Sequence, residues 1–237
     1  MEEYKLQETS VWSFPERGSW LTHNPSYRGN WSPHIPRNLI LSYSKECEVV
    51  LDMFLGGGTT LVESKVLKRK GIGVDINQEA LMIAKKNLDF NCEYNTEDQE
   101  LILGDATNLI FIENESIDLI CSHPPYFNII KYSDLKEDLS NLDLLKFEQS
   151  LEKVALECFR ILKRNKICCI MIGDIRKNKE VYPLGFKLMS IFQNAGFNLK
   201  EIIIKEQFNC KSTHFWTSKK RDFYLLKHEY IFVFIKK

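Results

Sequence analysis

The sequence predicts an α/β fold: a single open, mostly parallel sheet with helices on both faces. Three observations predict it. Short apolar runs alternate with helix-period segments from Val49 onward. Three consecutive glycines, Gly56 to Gly58, stand where the first strand hands over to the first helix. Three successive strands end in or just before an aspartate, Asp52, Asp75 and Asp105, and the carboxyl edge is where open α/β sheets bind their ligands.

The elements follow in order. VVLD (49 to 52) is the first strand, and 59 to 69 reads as the helix after the glycine turn. GIGVDI (71 to 76) is the second strand. Asn77 caps the next helix, whose Leu81, Ala84 and Leu88 recur at helical spacing. ELILGDA (100 to 106) and IDLIC (117 to 121) are the third and fourth strands. Leu144, Phe147, Leu151, Val154, Cys158 and Leu162 mark one face of a long helix, stopped by Lys163, Arg164 and Asn165. KICCIMIGD (166 to 174) is a buried strand, and a last helix opens at Pro183 and closes at Gly196. KEIIIKEQ (200 to 207) and YIFVFIKK (230 to 237) form an antiparallel pair, which brings the total to seven strands.

With 237 residues the chain fits one domain, 1 to 237. No apolar run approaches the ~20 residues needed to cross a bilayer, and MEEYKLQETS lacks the basic start and apolar core of a signal peptide. Seven cysteines, an odd number without a C-x-x-C pair, suit reduced thiols rather than disulfides or a metal site. A cytoplasmic protein with no membrane association and no metal is expected. Basic and acidic side chains balance at 32 each, so no global electrostatic footprint points to nucleic acid.

The chemistry concentrates in two motifs. Ser122-His123-Pro124-Pro125-Tyr126 leaves the fourth strand with two prolines that fix φ and remove competing N–H donors, an arrangement suited to accepting from an amine. LDMFLGGGTT (51 to 60) is not a phosphate loop: no lysine precedes the threonines, and Asp52 would repel a phosphate while suiting a cationic amino group. An acid in the position of Asp75 can accept both hydroxyls of a ribose, and Asp105 is placed to accept from an adenine amino group. Taken singly, an aspartate after a strand is more often a turn or cap residue.

Together these motifs resemble the S-adenosylmethionine-dependent amino-methyltransferases of DNA, the N6-adenine and N4-cytosine enzymes. LDMFLGGGTT is similar to their D-P-F-x-G-x-G-T-T signature, with Met53 at the usual proline. SHPPY resembles [DNS]-P-P-[YF], with His123 in the first position. GNWSPHIPRNLI (29 to 40) looks like the segment that precedes the cofactor loop, and the order of the signatures matches one permuted subgroup. The resemblance extends from about Trp20 to the C-terminus. It implies a class I methyltransferase fold, Rossmann-like and seven-stranded, with an antiparallel last strand. It implies S-adenosyl-L-methionine as cofactor, held by Asp52, Phe54, Gly56, Gly58, Thr59, Thr60, Asp75, Asp105 and Ala106, with Ser32 and His34 of an N-terminal arm (1 to 45) near the methionine end. Duplex DNA is the implied substrate, with base flipping and a place in restriction-modification.

The implied catalytic residues are His123, Pro124, Pro125 and Tyr126: His123 and the Pro124 carbonyl accept the amine's N–H groups, and Tyr126 stacks on the base. If His123 is that acceptor, methyl transfer declines as pH falls through the imidazole pKa. A C5-cytosine reaction is disfavoured by the absence of a Pro-Cys pair. Cytosine N4 is preferred slightly over adenine N6, because Ser122 and His123 are neutral acceptors. The stretch 208 to 228, between the last two strands, carries Lys211, Phe215, Trp216, Lys219, Lys220 and Arg221 as nucleic-acid contacts. Arg17, His23, Arg28, Trp31 and Arg37 make the arm a second such surface, or a lid over the cofactor. Residues 132 to 143 read as a mobile loop. No block of residues remains for a large recognition domain, so a second copy or a separate specificity or endonuclease subunit is a candidate partner. An RNA amino-methyltransferase and a catalytically inactive methyltransferase-like subunit are the alternatives.

Overall fold

The computed structural model describes residues 4–24, 27, 29–92, 98–127, 133–135, 137–208, 215, 217 and 219–237. The strands are β1 (Val11–Trp12), β2 (Val49–Asp52), β3 (Lys70–Asp75), β4 (Gln99–Leu103), β5 (Ile117–Ser122), β6 (Leu162–Ile172), β7 (Ile175–Lys177), β8 (Glu180–Tyr182), β9 (Asn198–Glu206) and β10 (His228–Ile235). The helices are α1 (His34–Tyr43), α2 (Thr59–Val66), α3 (Gln78–Asn87), α4 (Leu144–Ile161) and α5 (Leu184–Asn194).

One sheet runs in the order β1-β9-β10-β6-β5-β2-β3-β4. β6, β5, β2, β3 and β4 pair in parallel, while β10 is antiparallel to both β6 and β9. The class I methyltransferase fold is therefore present, with all seven predicted strands. An eighth was not foreseen: Val11 and Trp12 of the arm pair in parallel with Ile204 and Lys205 at the outer edge. Two residues are too few to carry a period-2 signal, and their partner lies about 190 positions away in the chain. The β7–β8 hairpin was also missed. Its turn uses positive φ at Asn178 and Lys179, as two-residue hairpin turns require, but without the usual glycine.

The strands are apolar on both faces because both faces are covered. Leu51, Ile120, Cys168, Ile170, Phe232 and Phe234 face α4 and α5, packing on Phe147, Leu151, Val154, Leu188 and Phe192. Their immediate neighbours Val50, Leu119, Cys121, Cys169, Ile231 and Val233 face the opposite way, onto Ile35, Leu39 and Ile40 of α1. A third cluster, with Leu61, Val62, Leu81 and Ala84, holds α2 against α3. The period-2 alternation thus fixes register on both sides at once, since a one-residue slip would exchange the two cores. No helix among the described residues is long and apolar enough to cross a membrane.

Candidate active site

The strand order sets His123, Asp52, Asp75 and Asp105 in sequence along one sheet edge, because β5, β2, β3 and β4 are successive neighbours. A pocket of about 750 Å³, partly open to solvent, lies along that edge. Asp52, Phe54, Gly56, Asp75, Asp105, Ala106, His123 and Pro125 line it, and all eight were singled out from the sequence.

Asp52 ends β2 with only 2% of its surface exposed. Its Oδ1 accepts from the Ser122 hydroxyl (2.6 Å) and the Phe54 N–H (3.1 Å), and its Oδ2 from the Thr60 hydroxyl (2.5 Å). Burial pushes its carboxyl up to about 6; the Ser122, Thr60 and Phe54 hydrogen bonds pull it back, and Asp75 adds to the rise. Asp75 caps the glycine turn, accepting from Gly56 N–H (2.8 Å) with Oδ2 and from Asn77 N–H (2.9 Å) with Oδ1. Burial raises its pKa as well, against those backbone bonds. With a further backbone bond from Ile76, the carboxylate still keeps acceptor capacity for another donor. Asp105 accepts from Thr107 N–H at 2.8 Å.

The glycines let the turn close. Gly58 is the N-cap of α2 at φ +84, and a Cβ there would stand 2.9 Å from the Ala84 Cβ. Gly57 donates its N–H to Asn30 of the arm (3.1 Å), so the turn is held from both sides.

Several expectations are corrected. Gly58, Thr59 and Thr60 do not line the pocket: the two threonines are buried at the start of α2, and Thr60 acts by fixing Asp52. Ser32 and His34 also lie outside it. Ser32 donates to the Arg17 carbonyl (2.6 Å), and the His34 ring stacks on Phe14 (4.9 Å) and bonds Tyr4 (2.8 Å). The arm reaches the pocket instead through Tyr27, Gly29, Asn30 and Trp31. His23 and Arg37 are not surface contacts, because both turn inward to Glu63, as does Trp20. Arg28 lies outside the described residues.

Ser122 is not an open acceptor either, since it is wholly buried, donates to Asp52 and accepts from Met53 N–H (3.2 Å). Tyr126 is not presented to the pocket as a stacking face. Its hydroxyl bonds His123 Nε2 (2.8 Å) and donates to Glu229 Oε1 (2.7 Å). His123 stacks instead on Trp31, with ring centroids 5.5 Å apart at 19°. Burial lowers its pKa to about 4; Glu229 opposes the fall and Lys205 adds to it.

The segment expected to be mobile is folded over the pocket in its described part. Asp138 caps a 3-10 turn (Leu139–Asn141), accepting from Ser133 Oγ (2.7 Å) and Ser140 N–H (2.9 Å), while Asn141 bonds the carbonyls of Ser133 and Leu135. Glu137, Asp138 and Leu139 thereby line the pocket. Asp138-Leu139-Ser140 was the available signal, a local side-chain cap. Glu229 was also missed, although a lone carboxylate inside the apolar run HEYIFVFI marks a buried charge that needs a partner.

In the stretch between β9 and β10, Lys211 and Trp216 lie outside the described residues. Lys219 sits 3.3 Å over the exposed Phe215 ring, and Lys220, Arg221 and Tyr224 are exposed. Arg176 of β7 stacks over Phe223 (4.6 Å) and donates to the Tyr224 carbonyl (3.1 Å), joining the hairpin to this basic surface.

Comparison with known proteins agrees with this architecture. A family described as DNA methylase matches residues 1–86 and 117–237. The Type II methyltransferase M2.LlaDCHI of Lactococcus lactis subsp. cremoris is 40% identical over 75 residues, 32% of this chain and 27% of that protein. The tRNA (guanine(10)-N2)-dimethyltransferase of Pyrococcus abyssi is 30% identical over 161 residues, 68% of this chain and 44% of that one. The matches to three curated Type II methyltransferases span about a quarter of each relative's length. Among solved structures, TrmN from Thermus thermophilus superposes with a TM-score of 0.59 at 16% identity, covering 89% of this chain and 50% of that one. A methyltransferase from Methanosarcina mazei gives 0.58 at 14%, covering 83% and 96%. These two likenesses concern the fold.

Proposed function

The chain belongs to the DNA methylase family, and from that premise we propose that it transfers a methyl group from S-adenosylmethionine to the exocyclic amino group of a base in DNA. The observation that carries the reading is a single pocket that joins the aspartate strip to His123 and Pro125 at one sheet edge.

The pocket's chemistry fits the cofactor. Asp75 and Asp105 retain acceptor capacity for hydroxyl and amino donors, and Asp52 sets a carboxylate where a cationic amino group would neutralise it. Phe54, Ile76 and Ala106 supply apolar surface for a flat ring. When bound, S-adenosylmethionine supplies an electrophilic methyl on a sulfonium. The residues of the chain do the remainder. The lone pair of an aromatic amine is delocalised into its ring, so acceptors at its N–H groups are needed to make the nitrogen nucleophilic. His123, neutral at physiological pH, and the backbone carbonyls of the Pro-Pro exit are those acceptors, and Trp31 and Pro125 flank the base. A duplex base reaches them only when flipped out.

Cytosine N4 and adenine N6 present the same amine to this site. With Ser122 tied to Asp52, the preference for cytosine rests on His123 alone. Phosphate contacts fall to Lys219, Lys220 and Arg221 and to Lys211, with Phe215 and Trp216 as base-stacking rings. A second reading, methylation of an RNA base, is favoured by the length of the match to the tRNA enzyme. Labelled methyl transfer to unmethylated genomic DNA, with nucleoside mass spectrometry and a parallel RNA sample, tests both. N4-methyl-deoxycytidine or N6-methyl-deoxyadenosine supports the DNA reading, and label in RNA alone overturns it.

A further inference from the structure

Glu229 stands near the start of apolar β10 and is only 6% exposed. Its two oxygens serve two different parts of the fold. Oε2 accepts from the ammonium of Lys205 (2.7 Å), its cross-strand partner on β9, and Oε1 accepts from the Tyr126 hydroxyl (2.7 Å). The same hydroxyl stands 2.8 Å from His123 Nε2. Burial pushes the Glu229 carboxyl up, but the Lys205 ammonium and the Tyr126 bond bring it below its ordinary range, so it is ionised.

Stability does not account for this ion pair. Desolvation offsets the attraction between buried charges, and apolar side chains of similar volume hold two strands together at least as well. Such residues are already adjacent, where Ile203 and Ile204 of β9 face Ile231 and Tyr230 of β10. What they would not supply is an acceptor for Tyr126. The local packing is arranged around that contact. Tyr126 follows β5, Glu229 lies on β10, and β6 stands between those strands in the sheet. The crossing point is Gly173, just past the end of β6, where a Cβ would stand 3.0 Å from Tyr126 Cε2 and 3.4 Å from Glu229 Cγ. The bare backbone leaves room for the ring and the carboxylate to meet. His123 is therefore held twice: Trp31 stacks on its face, with ring centroids 5.5 Å apart, and Tyr126 bonds its Nε2. Of this group His123 and Trp31 line the pocket, whereas Tyr126, Glu229 and Lys205 do not.

Resting on the amine-methylation reading, we propose that Glu229, held by Lys205, is a positioning residue: it fixes the Tyr126 hydroxyl and, through it, the orientation of the His123 ring against Trp31 that methyl transfer requires. Glu229 acts through another side chain and touches no substrate. Its acceptor oxygen carries the role, and the charge strengthens the bond to Tyr126. Lys205 keeps the carboxylate in place.

The pair can be removed without stranding a charge. K205M/E229L puts apolar side chains of similar size in its place and is expected to leave thermal stability and cofactor affinity as in the wild type. In single turnover with saturating cofactor and unmethylated DNA, it is expected to slow methyl transfer roughly 10- to 100-fold. K205M/E229Q has the same charge but returns an acceptor to Tyr126, and is expected to regain most of that rate. Y126F is expected to lose rate to the same extent, and adding K205M/E229L to it to cost nothing more. Wild-type rate in K205M/E229L, or losses that multiply in the combined variant, overturn the proposal. Y126F leaves the ion pair intact, so wild-type rate in Y126F overturns it even where variants of the pair fail to fold. Nitrogen NMR of labelled imidazoles tests the positioning apart from activity. His123 signals are expected to differ between K205M/E229L and K205M/E229Q, and coinciding signals overturn the proposal. Absence of transfer by the wild-type protein to DNA and RNA overturns the amine reading instead, and the His123 signals then decide the positioning alone.

Discussion

The Ser122 hydroxyl donates to Asp52 Oδ1 at 2.6 Å, tying the end of β5 to the end of β2. The Pro-Pro-Tyr segment and the glycine-turn segment, joined by residues 70 positions apart in the chain, are thus one hydrogen-bonded unit. Serine at this position braces the aspartate that faces the pocket, and it does so without exposing any polar atom.

Asp52 trades stability for its charge. Its folded pKa of about 6 lies above the ordinary 3.8, so the native state binds more protons between those values. Its contribution is favourable at low pH and is lost as pH rises through about 6. D52N keeps an acceptor for Ser122 and Phe54 and gains a donor for Thr60, without the charge. It is expected to be more stable than wild type near pH 8, by up to about 3 kcal/mol, and the difference should close below about pH 3.8. Cofactor affinity should fall in the same variant. Urea denaturation at the two pH values, with calorimetric titration of the cofactor, checks both.

His123 works in the opposite sense. Its folded pKa of about 4 lies below the ordinary 6.5, so the unfolded state binds more protons between them. The stability it contributes is present above about 6.5 and is lost as pH falls toward 4. The ring is therefore neutral at pH 5.5, and with cofactor kept saturating as Asp52 protonates near 6, methyl transfer is expected to stay flat from pH 8 to 5.5 with His123 as the acceptor. The decline expected as pH falls through the imidazole pKa then falls near 4 instead of near 6.5. A single-turnover rate that halves near pH 6.5, with binding constant, would show that burial does not govern the ring.

The fold was legible because both faces of the sheet are apolar and several crossovers are punctuated, by Gly56 to Gly58, Asn77 and Gly196, whereas the helix stop expected at Lys163 to Asn165 falls inside β6, because α4 already ends at Ile161. The pocket floor was legible for the same reason, since a strand's last residue sits at the sheet edge wherever the strand goes. What remained hidden depends on contacts far apart in sequence. Trp31 reaching His123 and Tyr126 reaching Glu229 over 103 positions leave no periodic mark. Thr60 and Ser122 were read as ligand-facing because the motif contains them, yet both spend their hydroxyls on Asp52. Motif membership gave the neighbourhood and the hydrogen-bond geometry gave the role.

The arm is held by one buried carboxylate. Glu63 on α2, fully enclosed, accepts from Trp20 (2.7 Å) and Arg37 (2.9 Å) and contacts His23 at 2.6 Å. Removing one partner of such a cluster leaves the others desolvated and unpaired, at a cost of about 3–5 kcal/mol. E63A is expected to destabilise by that order and to loosen residues before α1. Because Tyr27, Gly29, Asn30 and Trp31 form the arm's wall of the pocket, cofactor affinity should fall together with faster tryptic cleavage in this segment. Unchanged cleavage would mean that the β1–β9 pairing and the Gly57–Asn30 bond fix the arm without Glu63.

With formal charge balanced over the whole chain, the proposed binding of DNA requires a local surface. The exposed Lys219, Lys220 and Arg221, joined through Phe223 and Tyr224 to Arg176 of the hairpin, are the described candidates. Each phosphate contact releases condensed counterions and contributes about −0.9 to the slope of log affinity against log salt on duplex DNA. Replacing all three by alanine is expected to flatten that slope by roughly 2–3 and to weaken binding about equally for all sequences. The fold is expected to be unaffected, since these side chains are exposed. Fluorescence anisotropy over a salt series separates two outcomes. A flattened slope assigns the surface to phosphates, whereas an unchanged slope moves the duplex to the other side of the pocket and leaves these cations as a solvated face of the hairpin.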